Sequence, residues 1–175
     1  MFHRMLAVMF SRSQSSLTIG DRVRVYGGRI EVYKGANVKI GKDSVIGEGA
    51  LIECGEGATI TLGEKCLLFR HNVVTADEYI LIGSNTQLGE FSSVRDSDHE
   101  FARSDIPING QGLRSEPVSI GDDVWIGRGV AVLKGATIGS HSVIGANSVV
   151  TRSIPNWSVA VGAPARVIRH REKIE

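Results

Sequence analysis

The feature that most constrains this chain is a six-residue repeat in which an aliphatic residue is followed by glycine. From Ile120 the aliphatic position recurs without a break at 120, 126, 132, 138, 144 and 150. A second, usually small residue follows four positions after each aliphatic, as Ser142 follows Ile138. A helix needs apolar residues at a period of about 3.6, and a sandwich needs strands about 8–12 residues apart, so neither fits. Six residues fit one short strand and a corner, with the aliphatic and the small residue pointing inward and glycine helping the backbone turn.

The repeats group in threes, which predicts a triangular coil of three flat sides. The groups are 40–57, 62–79, 82–99, 120–137 and 138–155, and an earlier coil is expected to start at Ile19. Stacked coils bury a continuous column of side chains, so the pattern predicts an all-β solenoid of about six coils. Glu56, Glu78 and Asp98 fall on the inward small position of the third side. That side is either locally irregular, which we favour, or lined with acids.

The composition narrows the class of protein further. The chain has 175 residues, which suits one domain, and 21 glycines against few aromatic residues, which favours a thin, regular core. A net charge of +1 gives no electrostatic reason to expect nucleic acid or an anionic membrane as partner. No apolar run reaches the roughly 18 residues of a spanning helix, so no membrane insertion is expected. Cys54 and Cys66 lack metal-site spacing and are too few for a disulfide framework, which favours a reducing, cytoplasmic location.

The period also divides the chain into segments. Residues 1–16 carry Arg4 and Arg12 without an acid, which weakly resembles a targeting peptide, although a short arm packing on the first coil is the favoured interpretation. Residues 17–155 form the solenoid, interrupted at 100–119 by a long segment without the repeat. Long loops inside regular domains are usually functional or disordered. The last segment, 156–175, is expected to close the solenoid as a cap.

The stretch SVRDSDHEF, residues 93–101, stands out because it concentrates titratable groups directly before that loop. Histidine titrates near neutral pH and is the usual general base, and a neighbouring carboxylate can fix its tautomer and stabilise its charged form. On spacing alone, a surface histidine at a loop entrance explains the position equally well.

The repeats, and above all the run IGDDVWIGRGVAVLKGATIGSHSVIGANSVVTRSIPNWSVAVGAPARVIRHRE from residue 120, resemble the hexapeptide-repeat acyltransferases. The likeness is greatest to the sugar O-acetyltransferases of lipopolysaccharide, O-antigen and capsule pathways, which are related to the maltose, galactoside and nodulation-factor acetyltransferases. The resemblance implies a left-handed parallel β-helix that acts as a homotrimer. It also implies acetyl-coenzyme A as donor, a hydroxyl of a sugar or polysaccharide precursor as acceptor, and no required metal.

The resemblance also implies roles for particular residues. His99 takes the place of the catalytic base, with Asp96, Asp98 and Glu100 as carboxylates that flank it. The positions matching the family's cofactor contacts are Gly127, Ala146, Thr151, Arg152, Arg166 and Arg169. Arginine suits the coenzyme phosphates because it stays charged and donates in a fork. Trp125 matches a residue that borders the acceptor pocket beside the base of a neighbouring subunit, although core packing explains it equally well.

Three other functions stay open at this point. An N-acetyltransferase acting on a nucleotide-linked amino sugar also uses a histidine beside a glutamate, as His99 and Glu100 are. A non-catalytic scaffold needs the repeats alone. A zinc carbonic anhydrase of the same fold needs three histidines around one metal, but His71, His99 and His141 occupy different sides of the predicted coils.

Overall fold

The computed structural model describes the backbone of residues 7–10 and 14–172 and the side chains of residues 14–172. The regular secondary structure of its described residues is almost entirely short strands. The first twelve are β1 (Ala7–Phe10), β2 (Ser16–Ile19), β3 (Arg24–Val25), β4 (Arg29–Val32), β5 (Asn37–Ile40), β6 (Val45–Ile46), β7 (Leu51–Cys54), β8 (Thr59–Leu62), β9 (Leu67–Leu68), β10 (Val73–Ala76), β11 (Tyr79–Ile82) and β12 (Gln87–Leu88). The others are β13 (Ser93–Arg95), β14 (Ser97–His99), β15 (Leu113–Ser115), β16 (Val118–Ile120), β17 (Trp125–Ile126), β18 (Ala131–Val132), β19 (Thr137–Ile138), β20 (Val143–Ile144), β21 (Val149–Val150), β22 (Ser158–Gly162) and β23 (Ala165–His170), with one 3₁₀ turn at Ile108–Gly110.

Three parallel sheets form the faces of a triangular solenoid. Face 1 is β1-β4-β7-β10-β13-β18-β21, face 2 is β2-β5-β8-β11-β16-β19, and face 3 is β3-β6-β9-β12-β17-β20-β22-β23. The chain visits face 2, face 3 and face 1 in turn and then starts the next coil. The all-β, three-sided solenoid of about six coils predicted from the repeat is confirmed.

The inward aliphatic and small residues predicted from the repeat form the core. Ile46, Ile126 and Ile144 of face 3 are fully buried. The small positions add a polar ladder between coils: Ser92 Oγ accepts from the amide of Val130 and donates to the carbonyl of Gly127. Thr86 and Ser142 make the same pair of contacts with the next coil. Each of these three hydroxyls is therefore satisfied, which removes the cost of burying it.

The role expected for the repeat glycines is corrected by the structure. A Cβ on Gly41 would lie 2.4 Å from the carbonyl carbon of Gly63, and one on Gly121 would lie 2.6 Å from the nitrogen of Ser140. These glycines are needed because successive coils stack closely, not because the chain turns at them. The turn is made two residues later, where the backbone has a positive φ in Asp43 and Asp123, among others.

At the N-terminal end of the solenoid, the coils are longer than the 18 residues predicted from the repeat. Val38 pairs with Ile60, so that coil takes 22 residues, whereas Ile120 pairs with Ile138, 18 residues on. The extra residues lengthen the strands of faces 1 and 2 and the corner between them. Glu56, Glu78 and Asp98 lie exposed there instead of pointing inward, so the side is locally irregular and not lined with acids.

The two ends of the solenoid extend past the expected boundaries. β1 pairs in parallel with β4, so the first rung of face 1 lies ahead of residue 17. The targeting-peptide interpretation of residues 1–16 rests mostly on 1–6 and 11–13, outside the described residues. At the other end, β22 continues face 3 in parallel and β23 turns back against it. Within the described part of the chain, no helix is long and apolar enough to cross a membrane.

Candidate active site

The segment expected to carry catalysis leaves the solenoid as a β-hairpin. β14 pairs antiparallel with β15, placing His99 opposite Leu113. The hairpin stands at the edge where face 1 gives way to face 2, and the His99 side chain is exposed there. The tip is ordered by Gln111, whose amide accepts from the Arg103 backbone nitrogen and donates to two carbonyls. The long segment is therefore a braced projection that presents His99 to the outside.

Asp96 lies at the base of the hairpin and has a different role from the one expected. Its carboxylate is completely buried, and its two oxygens accept from the backbone nitrogens of Asp77, Glu78 and Tyr79, each at 2.8 Å. The neighbouring Ser97 donates to the side chain of Asp77. The Asp96 carboxylate thus holds the corner of the preceding coil. Among the hydrogen bonds of the described residues, none joins Asp96 to His99.

The carboxylates of Asp98 and Glu100 are not buried in the core as that of Asp96 is. Asp98 is exposed and lies opposite Arg114 in the hairpin ladder, and Glu100 is partly buried. At the hairpin base Arg114 reaches Glu116 at 3.0 Å, and Lys134 reaches the same oxygen at 3.2 Å. Lys134 and, less strongly, Arg114 lower the pKa of the Glu116 carboxyl. This ion-pair group fixes the base of the hairpin that carries His99.

A second group of predicted residues lies together on face 3. Trp125, Gly127 and Ala146 line one groove of about 550 Å³, which we call the donor groove. Trp125 is 58% exposed, so its ring is not part of the core. The complete lining is Phe69, Gln87, Gly89, Glu90, Trp125, Gly127, Arg128, Val143, Ile144, Gly145 and Ala146.

The β22–β23 hairpin brings two of the predicted arginines to one end of the donor groove. A Cβ on Gly145 would lie 2.7 Å from the Val161 side chain, and Val161 pairs with Arg166. Arg166 is exposed, with Nη1 donating to the carbonyl of Ala165 at 2.8 Å. Arg169 lies further along β23, opposite Val159, and is also exposed. This end of the groove therefore carries fixed positive charge.

Thr151 and Arg152 lie elsewhere. They follow β21 of face 1 and precede the bridge of Ile154 to face 2, so they occupy the same edge as the His99 hairpin. The predicted site residues thus form two sets: one on the edge between faces 1 and 2, the other on face 3. In a triangular solenoid that edge lies opposite face 3, so His99 and Trp125 do not meet within one chain.

Several lining residues of the donor groove were not predicted, and three of them carry large outward side chains: Phe69, Gln87 and Arg128. The sequence carried a signal for two of them. Gln87 occupies the same repeat position as Trp125, its partner in the ladder, and Phe69 stands where the repeat has glycine. Arg128 lies over the ring of Phe91, which stacks on His71.

The three histidines that a zinc carbonic anhydrase would need lie in different parts of the solenoid. His71 follows β9 of face 3 and stacks on Phe91. His141 precedes β20, with Nδ1 3.0 Å from Asp123 Oδ2, and stacks on Trp157. His99 stands on its hairpin, so this arrangement does not direct three imidazoles at one metal.

The described chain is thus a triangular solenoid of six-residue repeats with a projecting histidine hairpin and a groove along one face, and comparison with known proteins identifies its family. The bacterial transferase hexapeptide model (six repeats) matches residues 117–152. A probable acetyltransferase of Mycobacterium tuberculosis is 39% identical over 137 residues, 78% of this chain and 45% of that protein. Nodulation protein L of Rhizobium meliloti is 38% identical over 128 residues, 70% of this chain and 68% of that protein. The solved maltose O-acetyltransferase from Clostridium difficile is 27% identical, with a TM-score of 0.53 over 92% of this chain and 70% of that chain.

The chain belongs to the hexapeptide-repeat transferase family, whose known members include acetyltransferases, and its solenoid is the left-handed parallel β-helix of that family. It spans about half the length of the first curated relatives that it matches.

Proposed function

We propose that this protein transfers an acetyl group from acetyl-coenzyme A to a hydroxyl of a sugar or polysaccharide precursor. The observation that carries the proposal is the donor groove, which runs along face 3 from the end near the arginines of the β22–β23 hairpin past Gly145 and Gly127 toward Gly89, with Trp125 on its lining. A long pantetheine arm needs such a smooth, shallow track, and its phosphates need cations at one end. Both needs are met by residues that the family resemblance assigned to the cofactor.

His99 is the proposed general base. A sugar hydroxyl has a pKa far above 7, so it attacks a thioester poorly unless its proton is taken as the C–O bond forms. The imidazole takes that proton, the tetrahedral intermediate collapses with cleavage of the C–S bond, and the imidazolium returns the proton to the departing thiolate. The exposed position of His99 gives an acceptor free access to the ring.

The proposed site lies between subunits of a homotrimer. His99 and Arg152 occupy the edge opposite face 3, while Trp125 and the donor groove lie on face 3 itself. A cyclic assembly that packs this edge against face 3 of the next copy completes three identical sites. Asp98 and Glu100, which flank His99 on the hairpin, are the carboxylates left to orient the imidazole, because Asp96 is engaged by backbone amides.

A sugar acceptor is supported by the exposed ring of Trp125, because an aromatic face suits the apolar face of a sugar ring. The related solved structure is named a maltose O-acetyltransferase. The location proposed for the protein is the cytoplasm, where acetyl-coenzyme A is available.

The first test is calorimetric titration of the purified protein with acetyl-coenzyme A, because donor binding does not depend on knowing the acceptor. We expect micromolar binding that weakens at least about tenfold in Arg166→Ala, since a charged hydrogen bond to phosphate is lost. Arg103→Ala, on the tip of the His99 hairpin and paired with Asp105, is the matched control and should bind normally. Absence of binding by the folded wild-type protein would favour the scaffold function instead.

The second test is turnover in an acceptor screen that includes both sugar hydroxyls and nucleotide-linked amino sugars. His99→Ala should lower kcat by about 10²-fold or more while donor binding is kept. A variant that retains more than about a tenth of the wild-type rate contradicts the role of His99 as general base. Transfer to amines alone would assign the N-acetyltransferase function.

A further inference from the structure

Phe69 breaks a column of glycines that runs along the donor groove. The residue directly after each two-residue strand of face 3 stacks on its counterpart in the next coil, linked by the backbone hydrogen bonds of the ladder. This residue is Tyr26 in the first coil and then Gly47, Phe69, Gly89, Gly127 and Gly145 in the coils that follow. Between Gly47 and Gly145, Phe69 is thus the one departure from glycine, in the place where the repeat omits a side chain.

The Phe69 ring lies between two clefts and lines both of them. On one side lies the donor groove, and on the other lies a cleft of about 370 Å³. The second cleft is lined by Tyr26, Val45, Gly47, Glu48, Leu68, Phe69 and Arg70, and is mostly apolar. Phe69 lines both and is 40% exposed, so its ring projects outward between them and is not buried in the core.

The reactive end of the donor faces this ring, if the proposed function is correct. The arginines lie at the Gly145 end, so the phosphates bind there and the thioester runs toward Gly89. Gly89 belongs to the coil that continues into β13 and the His99 hairpin. Neighbouring strands are about 4.8 Å apart, so Phe69 stands one such step beyond the coil in which transfer takes place.

We infer that Phe69 limits the acyl group of the donor to a short chain, and that the cleft behind it accepts a longer acyl chain once the ring is removed. An acetyl group ends before the ring, whereas a chain of several methylenes has to pass through the space that the ring fills. Protein interiors and filled clefts yield little to such overpacking. The apolar lining supplied by Val45, Leu68 and Tyr26 suits an alkyl chain.

The inference rests on the proposed function, and the test separates the two. Wild-type protein, Phe69→Ala, Phe69→Leu and Tyr26→Ala are titrated with acetyl-, butyryl- and octanoyl-coenzyme A. The wild type should bind the acetyl thioester at least about tenfold more tightly than the octanoyl thioester, and Phe69→Ala should remove or invert that ratio. Phe69→Leu should fall between them, and it keeps an apolar side chain if alanine disturbs the fold. Tyr26→Ala, which enlarges only the far end of the second cleft, should keep the wild-type ratio.

Each other result has a definite meaning. Acetyl-coenzyme A binding with the same acetyl-to-octanoyl ratio in wild type and both Phe69 variants overturns the role of Phe69 and leaves the proposed function standing. Equal binding of acetyl- and octanoyl-coenzyme A by the wild type also overturns the role of Phe69 and leaves the proposed function standing. Failure of the wild type to bind any thioester overturns the proposed function, and the inference with it.

Discussion

Oδ2 of Asp96 lies 2.8 Å from the backbone nitrogen of Tyr79, which belongs to the preceding coil. Together with the amides of Asp77 and Glu78, this contact makes a buried carboxylate the anchor between the His99 hairpin and the solenoid below it. A carboxylate therefore serves structure at Asp96, whereas the carboxylate of Glu100, four positions on, is one of those proposed to orient the imidazole of His99.

Asp96→Asn should destabilise the fold, because its amide group turns hydrogens toward backbone donors that then lack an acceptor. Each buried donor left unsatisfied costs about 1–3 kcal/mol. Urea unfolding of Asp96→Asn should show a loss of that order or more, and exposed Asp98→Asn, as control, should change the free energy of unfolding by less than about 0.5 kcal/mol. Equal stability of the two variants would contradict the anchoring role.

His99→Ala and Trp125→Ala should complement each other when co-expressed, because the proposed trimeric site takes the two residues from different subunits. Each variant alone should be inactive or strongly impaired. In randomly mixed trimers about a quarter of the sites combine an intact histidine with an intact tryptophan, so activity should return to about that fraction. A mixture no more active than the single variants would show that both residues act within one chain, or that they never share a site.

Gly41→Ala and Gly57→Ala should distinguish the two reasons why this fold needs glycine, which are the close stacking of coils and a positive φ. The Cβ at Gly41 meets backbone of the next coil at 2.4 Å, whereas Gly57 has a φ of +72° with open space around it. We expect overpacking to cost Gly41→Ala about 1–3 kcal/mol or more, and backbone strain to cost Gly57→Ala about 1 kcal/mol. Thermal and urea unfolding measure both. A larger loss in Gly57→Ala would show that the turn, and not the stacking, dominates.

The two thiols should be unreactive in the folded protein. Burial raises the pKa of Cys54 and of Cys66 from 9.0 to about 11, so the thiolate that reacts is scarce at pH 8. Ellman's reagent should label neither cysteine at pH 8 until urea is added, when both react. Rapid labelling of the native protein would contradict the burial of these groups.

The raised thiol pKa values also predict a pH dependence of stability. Because the folded pKa lies above the unfolded one, the stabilising contribution is complete below pH 9 and is lost as pH rises toward about 11. The melting temperature should therefore fall between pH 9 and 11, and less steeply in Cys66→Ala. The same slope in Cys66→Ala would assign the alkaline loss to other groups.

The family resemblance, rather than the repeat, singled out Gly127, Ala146 and Arg166 as cofactor positions and Trp125 as a border of the acceptor pocket or a core residue. The repeat added only the position of each residue on its coil. Asp96 could not be assigned in the same way. Whether a carboxylate orients an imidazole or binds backbone amides depends on which atoms surround it, and neighbouring coils supply those atoms from about twenty residues away.

The amino-acid sequence by itself determined the solenoid, because a six-residue period of aliphatic and small residues buries a core only when short strands stack in three faces. It also determined the place of His99 ahead of the one long interruption. Only the tertiary structure decided that His99 stands on the edge opposite Trp125 and that Phe69 divides two clefts along one face. The physical reason is that a period specifies which residues point inward, whereas the outward neighbours of a side chain depend on coil length. The coils here take 22 residues near the N-terminal end and 18 directly after the His99 hairpin, and the coil that carries that hairpin takes 38.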